Sequence, residues 1–294
     1  MNYRPCVLLT ACTAFVLFGG TLAGAEPTVH EGVVYRVIDG RELQLDLAVP
    51  NGDGRFPAIV FLHGGAWMTG DRSRFRDEIE VAARREFVGA TITYRLAKTG
   101  PDTPSVDGFP AALEDVKAAV RFLRANAAQY HIDADHIGVA GESAGGHLAL
   151  LAGLTRPADG FDGEPSADAP SSAVQAVYNA YGPTDLTALT EENPRSRPVL
   201  VVLLGAAPEL APERYREASP VAYAHRDAPP ILTIHGTGDG LVPVSQAHRL
   251  DAALKQAGAE HRLVILNGGH GFGGRHAARL HATFYRFFAR TLKP

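Results

Sequence analysis

The sequence predicts a single α/β domain, with one mostly parallel sheet carrying helices on both faces. Three observations carry that expectation. Short continuous apolar runs recur along the chain, as strands covered on both faces require. Stretches with the apolar spacing of helices lie between them. Strict apolar–polar alternation, the mark of a half-exposed antiparallel hairpin, is confined to the region before the first of those runs.

Taken in order, residues 29–50 alternate through Val33, Tyr35 and Val37 and then Leu43, Leu45, Leu47 and Val49. Asp39-Gly40 between the two halves is a hairpin turn signal, which sets an antiparallel pair at one edge of the sheet. Ala58-Ile59-Val60-Phe61-Leu62 is the first buried strand, and residues 88–94 form the next, with a helix near 73–86 between them. Residues 110–129 are helical by period, with Leu113, Val116, Val120, Leu123 and Ala127 on one face. Strands follow at 136–140, 174–181, 231–234 and 262–266, and helices at 144–154, 244–257 and 275–291. This alternation makes the crossovers right-handed. Two segments interrupt it. Residues 156–172 are rich in Pro, Asp, Ser and Gly and read as a surface loop. Residues 185–230 contain Pro194, Pro198, Pro208, Pro212 and Pro220 with an apolar run at 199–204, and read as a cover over a site rather than a separate lid domain.

The first residues read as a secretory signal. Arg4 supplies a positive start, Cys6 to Phe18 an apolar stretch too short to span a bilayer comfortably, and Ala23-Gly24-Ala25 the small residues of a cleavage site after Ala25. An uncleaved anchor is the alternative. The expectation is a secreted or periplasmic protein whose catalytic domain is residues 26–294, with no membrane span in the mature chain. Both cysteines, Cys6 and Cys12, fall in the signal, which excludes a Cys nucleophile, a Cys-ligated zinc site and a disulfide scaffold. A net charge of −4 with scattered Lys and Arg excludes a nucleic-acid surface. Oligomeric state has no signature here.

The chemistry gathers at strand ends, where open α/β sheets bind their ligands. Gly141-Glu142-Ser143-Ala144-Gly145 stands between an apolar strand and an apolar helix, the setting of a nucleophile elbow. A glycine-rich turn with an idle serine is the competing reading of that segment alone. His63-Gly64-Gly65-Ala66-Trp67 follows the 58–62 strand, Asp239 follows the 231–234 strand, and His270 follows the last strand. The order Ser, Asp, His is that of α/β hydrolases. A serine hydroxyl needs a base to take its proton as it attacks, and His270 is the candidate. Asp239 would fix the imidazole tautomer and stabilise the imidazolium. N–H groups of Ala144, Gly65 and Ala66 are candidates for the oxyanion hole. Trp67 is a further candidate there, or a wall of the acyl pocket. Asp185 is the rival acid. His63 reads as a brace for the oxyanion loop, His147 as helix packing, His225 and His248 as surface, and Glu114 and Asp115 as structural ion partners. His276 and His281 fall in the terminal helix.

These motifs, with Gly70-Asp71-Arg72, Tyr94-Arg95-Leu96, Gly146-His147, Tyr181-Gly182-Pro183-Thr184-Asp185, Ser219-Pro220 and Val242-Pro243, resemble the bifunctional feruloyl/acetyl-xylan esterase-like branch of the α/β-hydrolase esterases, related to hormone-sensitive-lipase-type enzymes. The resemblance covers roughly residues 32–292. It implies the α/β-hydrolase fold and hydrolysis of carboxylic esters. Together with the expected secretion it points to acetylated plant polysaccharide or a small-molecule ester as substrate, and Trp67 and Ala66 suggest a short, acetyl-type acyl group. The triad would be Ser143, Asp239 and His270, and no metal or organic cofactor is called for. An amide hydrolase, such as an arylformamidase or a peptidase, is the alternative on the same residues, and a non-catalytic binding protein would require a broken triad. The chain departs from many relatives at Ala66, where they have a third glycine, which implies a narrower acyl pocket. It departs again at Gly238 and Gly240, which implies a looser acid loop.

Overall fold

The computed structural model describes residues 26–99, 106–272 and 277–293. The expected signal and both cysteines, the first residues of the expected 275–291 helix, and His276 lie outside them.

Eight strands form one sheet: β1 (Thr28–Ile38), β2 (Arg41–Val49), β3 (Phe56–Leu62), β4 (Val88–Ile92), β5 (Ile132–Glu142), β6 (Ala176–Ala180), β7 (Ile231–Gly236) and β8 (His261–Leu266). Their order across the sheet is β1-β2-β4-β3-β5-β6-β7-β8. β1 pairs antiparallel with β2, and β2 antiparallel with β4; every other pairing is parallel. This is the α/β-hydrolase fold. The β1–β2 turn is the expected Asp39-Gly40. Both residues are left-handed (φ 50° and 72°), which closes the register Ile38 opposite Arg41 with two residues between.

Alternation held less well for β2 than the sequence suggested. Its last five residues are all buried, because both faces are covered there: Leu45, Leu47 and Val49 join one core cluster and Ala48 another. The inner parallel strands behave as their apolar runs require: β4 and β7 are buried throughout, and β3 in all but its first residue, whereas β8, at the sheet edge, has no fully buried residue.

The helices are α1 (Arg76–Ala83), α2 (Ala111–Ala125), α3 (Ala144–Leu154), α4 (Leu186–Glu192), α5 (Arg197–Leu204), α6 (Pro212–Glu217), α7 (Ser245–Ala257) and α8 (Ala277–Leu292). The predicted 73–86 helix splits into a 3-10 turn over Arg72–Phe75 and α1. Nearly all of α3 is buried, as its uniformly apolar sequence demands. Residues 156–172 run over the surface with one 3-10 turn. The segment 185–230 folds into α4, α5 and α6. Its buried Leu186, Leu189, Leu200, Leu204 and Tyr215 join the core that fills one face of the sheet, so it has no separate core of its own.

Candidate active site

Ser143 sits where β5 turns into α3, with φ 55° and ψ −121°. Such a backbone costs energy for a residue with a Cβ, so the surroundings must hold it. Two glycines make the turn possible by close approach. A Cβ on Gly145 would lie 2.1 Å from the Leu62 carbonyl oxygen, and one on Gly141 would lie 2.1 Å from that of Gly145. The Ser143 N–H donates to the Ala180 carbonyl at 2.9 Å, tying the turn to β6.

The structure brings Ser143, His270 and Asp239 together from three strand ends. His270 Nε2 stands 2.8 Å from Ser143 Oγ, and His270 Nδ1 stands 2.7 Å from Asp239 Oδ2. The other oxygen, Oδ1, accepts the amides of Leu241 and Val242, both at 2.9 Å. Burial alone would raise the Asp239 pKa. Hydrogen bonds from His235 and His270 and from the two amides outweigh it and hold the carboxyl well below the usual carboxylate range. The flanking glycines do not loosen this loop. The Gly238 N–H is bonded to the Gly268 carbonyl at 2.9 Å, and Asn193 Nδ2 donates to the carbonyls of Gly240 (3.3 Å) and Leu241 (2.9 Å).

Asp185, the rival acid, is elsewhere engaged. It caps α4 by accepting the Ala188 N–H at 3.0 Å and lies 3.7 Å from Arg249; among the described residues it makes no contact with His270. Asp115 is buried between Arg95 and Arg36, and Glu114 lies beside it. His248 is exposed and His281 packs on Tyr285. His225 is half-buried rather than free at the surface, because Arg156 reaches its Nδ1 at 2.8 Å.

The loop after β3 runs through three successive left-handed residues: Gly65 (φ 119°), Ala66 (φ 54°) and Trp67 (φ 58°). Only the first is a glycine, so the loop carries strain at Ala66 and Trp67 that its contacts must offset. The Gly65 carbonyl accepts the N–H groups of Met68 and Thr69 at 3.0 Å each, and the Trp67 carbonyl accepts that of Ala97 at 2.8 Å. His63 lies flat on Tyr94, with ring centroids 4.3 Å apart, and reaches the Gly64 carbonyl at 2.7 Å. The N–H groups of Gly65, Ala66 and Ala144 donate to no protein acceptor among the described residues, which leaves them free for a substrate oxygen.

His147 does more than pack. Its Nδ1 accepts the Trp67 indole N–H at 3.1 Å, and its Nε2 meets the Ala218 carbonyl at 2.7 Å. An indole N–H only donates and a carbonyl only accepts, so the ring carries its proton on Nε2. Burial pushes its pKa down to about 4, although the bond to Ala218 acts the other way.

Ser143 stands at the junction of two chambers. One is a mostly apolar pocket of about 160 Å³ between the elbow and the cover, walled by Trp67, Leu189, Val199 and Leu200. The other is a wide groove of about 730 Å³ along the 63–70 loop, with Arg74, Glu142 and Tyr181 at its side. Glu142, the variable residue of the pentapeptide, accepts from Tyr181 Oη at 2.8 Å and Arg74 Nε at 3.0 Å. Sequence reading missed Glu142, Tyr181, Asn193 and the His147–Trp67 bond. Glu142 had a signal in its place directly before Ser143 in the pentapeptide, and both line the groove. Among the described residues no cluster of His, Cys, Asp and Glu could hold a metal ion.

The BD-FAE family profile matches residues 45–254. Esterase LipC of Mycobacterium tuberculosis is 34% identical over 236 residues, covering 77% of this chain and 56% of LipC. Isoprenylcysteine alpha-carbonyl methylesterase ICME of Arabidopsis thaliana is 27% identical over 274 residues, covering 89% of this chain and 62% of ICME. The chain spans about half the length of the curated mycobacterial esterases it matches. Among solved structures, a truncated carbohydrate esterase from gut microbiota superposes with a TM-score of 0.72 at 27% identity, over 91% of this chain and 98% of that one. Esterase 2 of Thermogutta terrifontis gives 0.71 at 27% identity, over 93% and 95%. That esterase has also been solved with butyrate bound and phosphorylated by paraoxon.

Proposed function

The chain belongs to the BD-FAE family, and from that premise we propose that it is a serine carboxylic ester hydrolase acting through an acyl-enzyme on Ser143. One observation carries the reading: the unbroken relay Asp239–His270–Ser143, with contacts of 2.7 and 2.8 Å. His270 takes the hydroxyl proton as Ser143 Oγ attacks the ester carbonyl. The oxygen that gains charge is met by N–H groups of Ala144, Gly65 and Ala66, and removing one such donor would cost ~10²–10³ in rate. His270 then protonates the departing alkoxide, and the same ring activates the water that releases the acid. No cofactor enters these steps.

The two chambers divide the substrate. The acyl group stays attached after the first step, and the smaller apolar pocket suits the part that stays. The alcohol must leave and be replaced by water, which suits the open groove. A pocket of about 160 Å³ supports a short acyl chain, acetyl to about butyryl, and Ala66 and Trp67 bound it. The groove has room for a bulky alcohol, and the sugar side of an acetylated polysaccharide is part of the proposal. The 185–230 segment is the cover of the acyl pocket. The 1–25 signal belongs to the proposal too; a secreted product whose N-terminus is not Glu26 would refute cleavage after Ala25.

Ser143→Ala tests the core of this reading. Turnover of p-nitrophenyl acetate should drop at least ~10⁴-fold with an unchanged circular dichroism spectrum. A fluorophosphonate should add covalently to Ser143 in the parent protein. Retained turnover in a folded Ser143→Ala protein would refute it.

A further inference from the structure

The small chamber is lined by one side chain that carries a formal charge, an arginine. Arg195 lines the pocket from the 3-10 turn Pro194–Ser196, in the cover. Its guanidinium makes no hydrogen bond or ion pair among the described residues. Three other arginines of the cover and of α7 are paired. Arg197 pairs with Glu209, Arg216 with Glu213 at 2.7 Å, and Arg249 with Glu192 at 2.9 Å. The nearest acid in sequence, Glu192, is therefore committed; it also accepts from Ser245 and Gln246.

The other polar side chains that the cover turns toward this pocket are used up internally. Asn193 gives its amide N–H groups to Gly240 and Leu241, and its oxygen accepts the Arg195 backbone N–H at 3.2 Å. Ser196 Oγ donates to the Asn193 carbonyl at 2.8 Å. These bonds fix the base of Arg195 to the loop that carries Asp239. A cation held on this turn, among the residues that line an apolar pocket reaching the nucleophile, favours an anionic group on whatever fills the pocket.

We infer that the acyl group this chamber takes ends in a carboxylate: the substrates are half-esters of short dicarboxylic acids, and Arg195 reads the free end. The inference rests on the hydrolase reading above and names the acyl class for the same site. The planar guanidinium matches a carboxylate with two parallel N–H···O bonds. The apolar walls match the methylenes between. Because Arg195 is exposed, water screens the pairing, and the expected preference is roughly 10-fold rather than the larger factor of a buried pair.

The test compares monoethyl succinate with ethyl 4-methylpentanoate, its neutral isostere, by pH-stat at pH 7.5, and reads the ratio of the two kcat/KM values. The parent protein should favour the half-ester, chiefly through KM. In Arg195→Gln the ratio should fall about 10-fold, and in Arg195→Lys, which keeps the charge but loses the fork, it should fall less. Added salt should compress the parent ratio and leave that of Arg195→Gln unmoved. A ratio equal in parent and Arg195→Gln, with the neutral ester turned over normally, overturns this inference alone. No turnover of either ester, with no fluorophosphonate on Ser143, overturns the hydrolase reading and this inference with it.

Discussion

His270 and His147 both bond to Ser143, one to its hydroxyl and one through its backbone N–H to the Ser143 carbonyl, and each engages both ring nitrogens. The distances barely differ: 2.7 and 2.8 Å for His270, 2.7 and 3.1 Å for His147. The partners decide what each ring can do. His270 lies between a carboxylate that holds the proton on Nδ1 and a hydroxyl that can give one to Nε2. His147 lies between a group that can only donate and a group that can only accept, so no proton has anywhere to go. In the proposed mechanism one ring is the base, and the other is a spacer that fixes Trp67 in the wall of the small chamber. Bond lengths alone would not separate them; the proton capacity of the neighbours does.

The largest effect separates the two rings directly. His270→Asn should lower kcat on a short-chain ester by ~10⁴-fold or more without loss of fold, whereas His147→Gln should cost less than ~10-fold. Comparable losses in steady-state assays would dissolve the distinction.

Next in size is Asp239→Asn. The new amide N–H₂ can donate to Nδ1, which moves the ring proton to Nε2 and removes the acceptor that Ser143 needs. A fall of ~10²–10⁴ in kcat is expected, with KM little changed. Near-normal kcat would mean that the tautomer is set by something other than Asp239.

The same comparison shows what a sequence discloses. The sheet was legible because parallel strands buried on both faces leave continuous apolar runs, and Ser143, Asp239 and His270 stood out because each follows such a run. The contacts of His147 were not legible. Trp67 is 80 residues away and Ala218 is 71, and no local pattern links them. The same holds for Tyr181 and Glu142, which are 39 apart. The left-handed backbone at Ala66 and Trp67 was hidden too, since neither residue type advertises a positive φ. Arg195 read as one arginine among many until its neighbours' ion pairs were known. Strand ends announce reacting groups, whereas the groups that aim them come from chain crossings.

The smallest effect on rate carries a distinct pH signature. The unfolded chain protonates His147 near 6.5, and the folded one holds it at about 4. Between those values the unfolded state binds more protons, so stability is full above pH 6.5 and is lost as pH falls toward 4, by about 3 kcal/mol in all. His147→Gln keeps an acceptor for the indole N–H and a donor for the Ala218 carbonyl, yet cannot titrate. Urea unfolding should therefore place the variant within about 1 kcal/mol of the parent at pH 7 and make it progressively the more stable of the two toward pH 4.5, a gain of several degrees in Tm. His63 and His261, also pushed down by burial, lose stability in the same direction in both proteins and cancel from the difference. A gap that stays constant from pH 7 to 4.5 would show that His147 is not held neutral by its surroundings, and the contrast with His270 would then rest on position rather than on proton capacity.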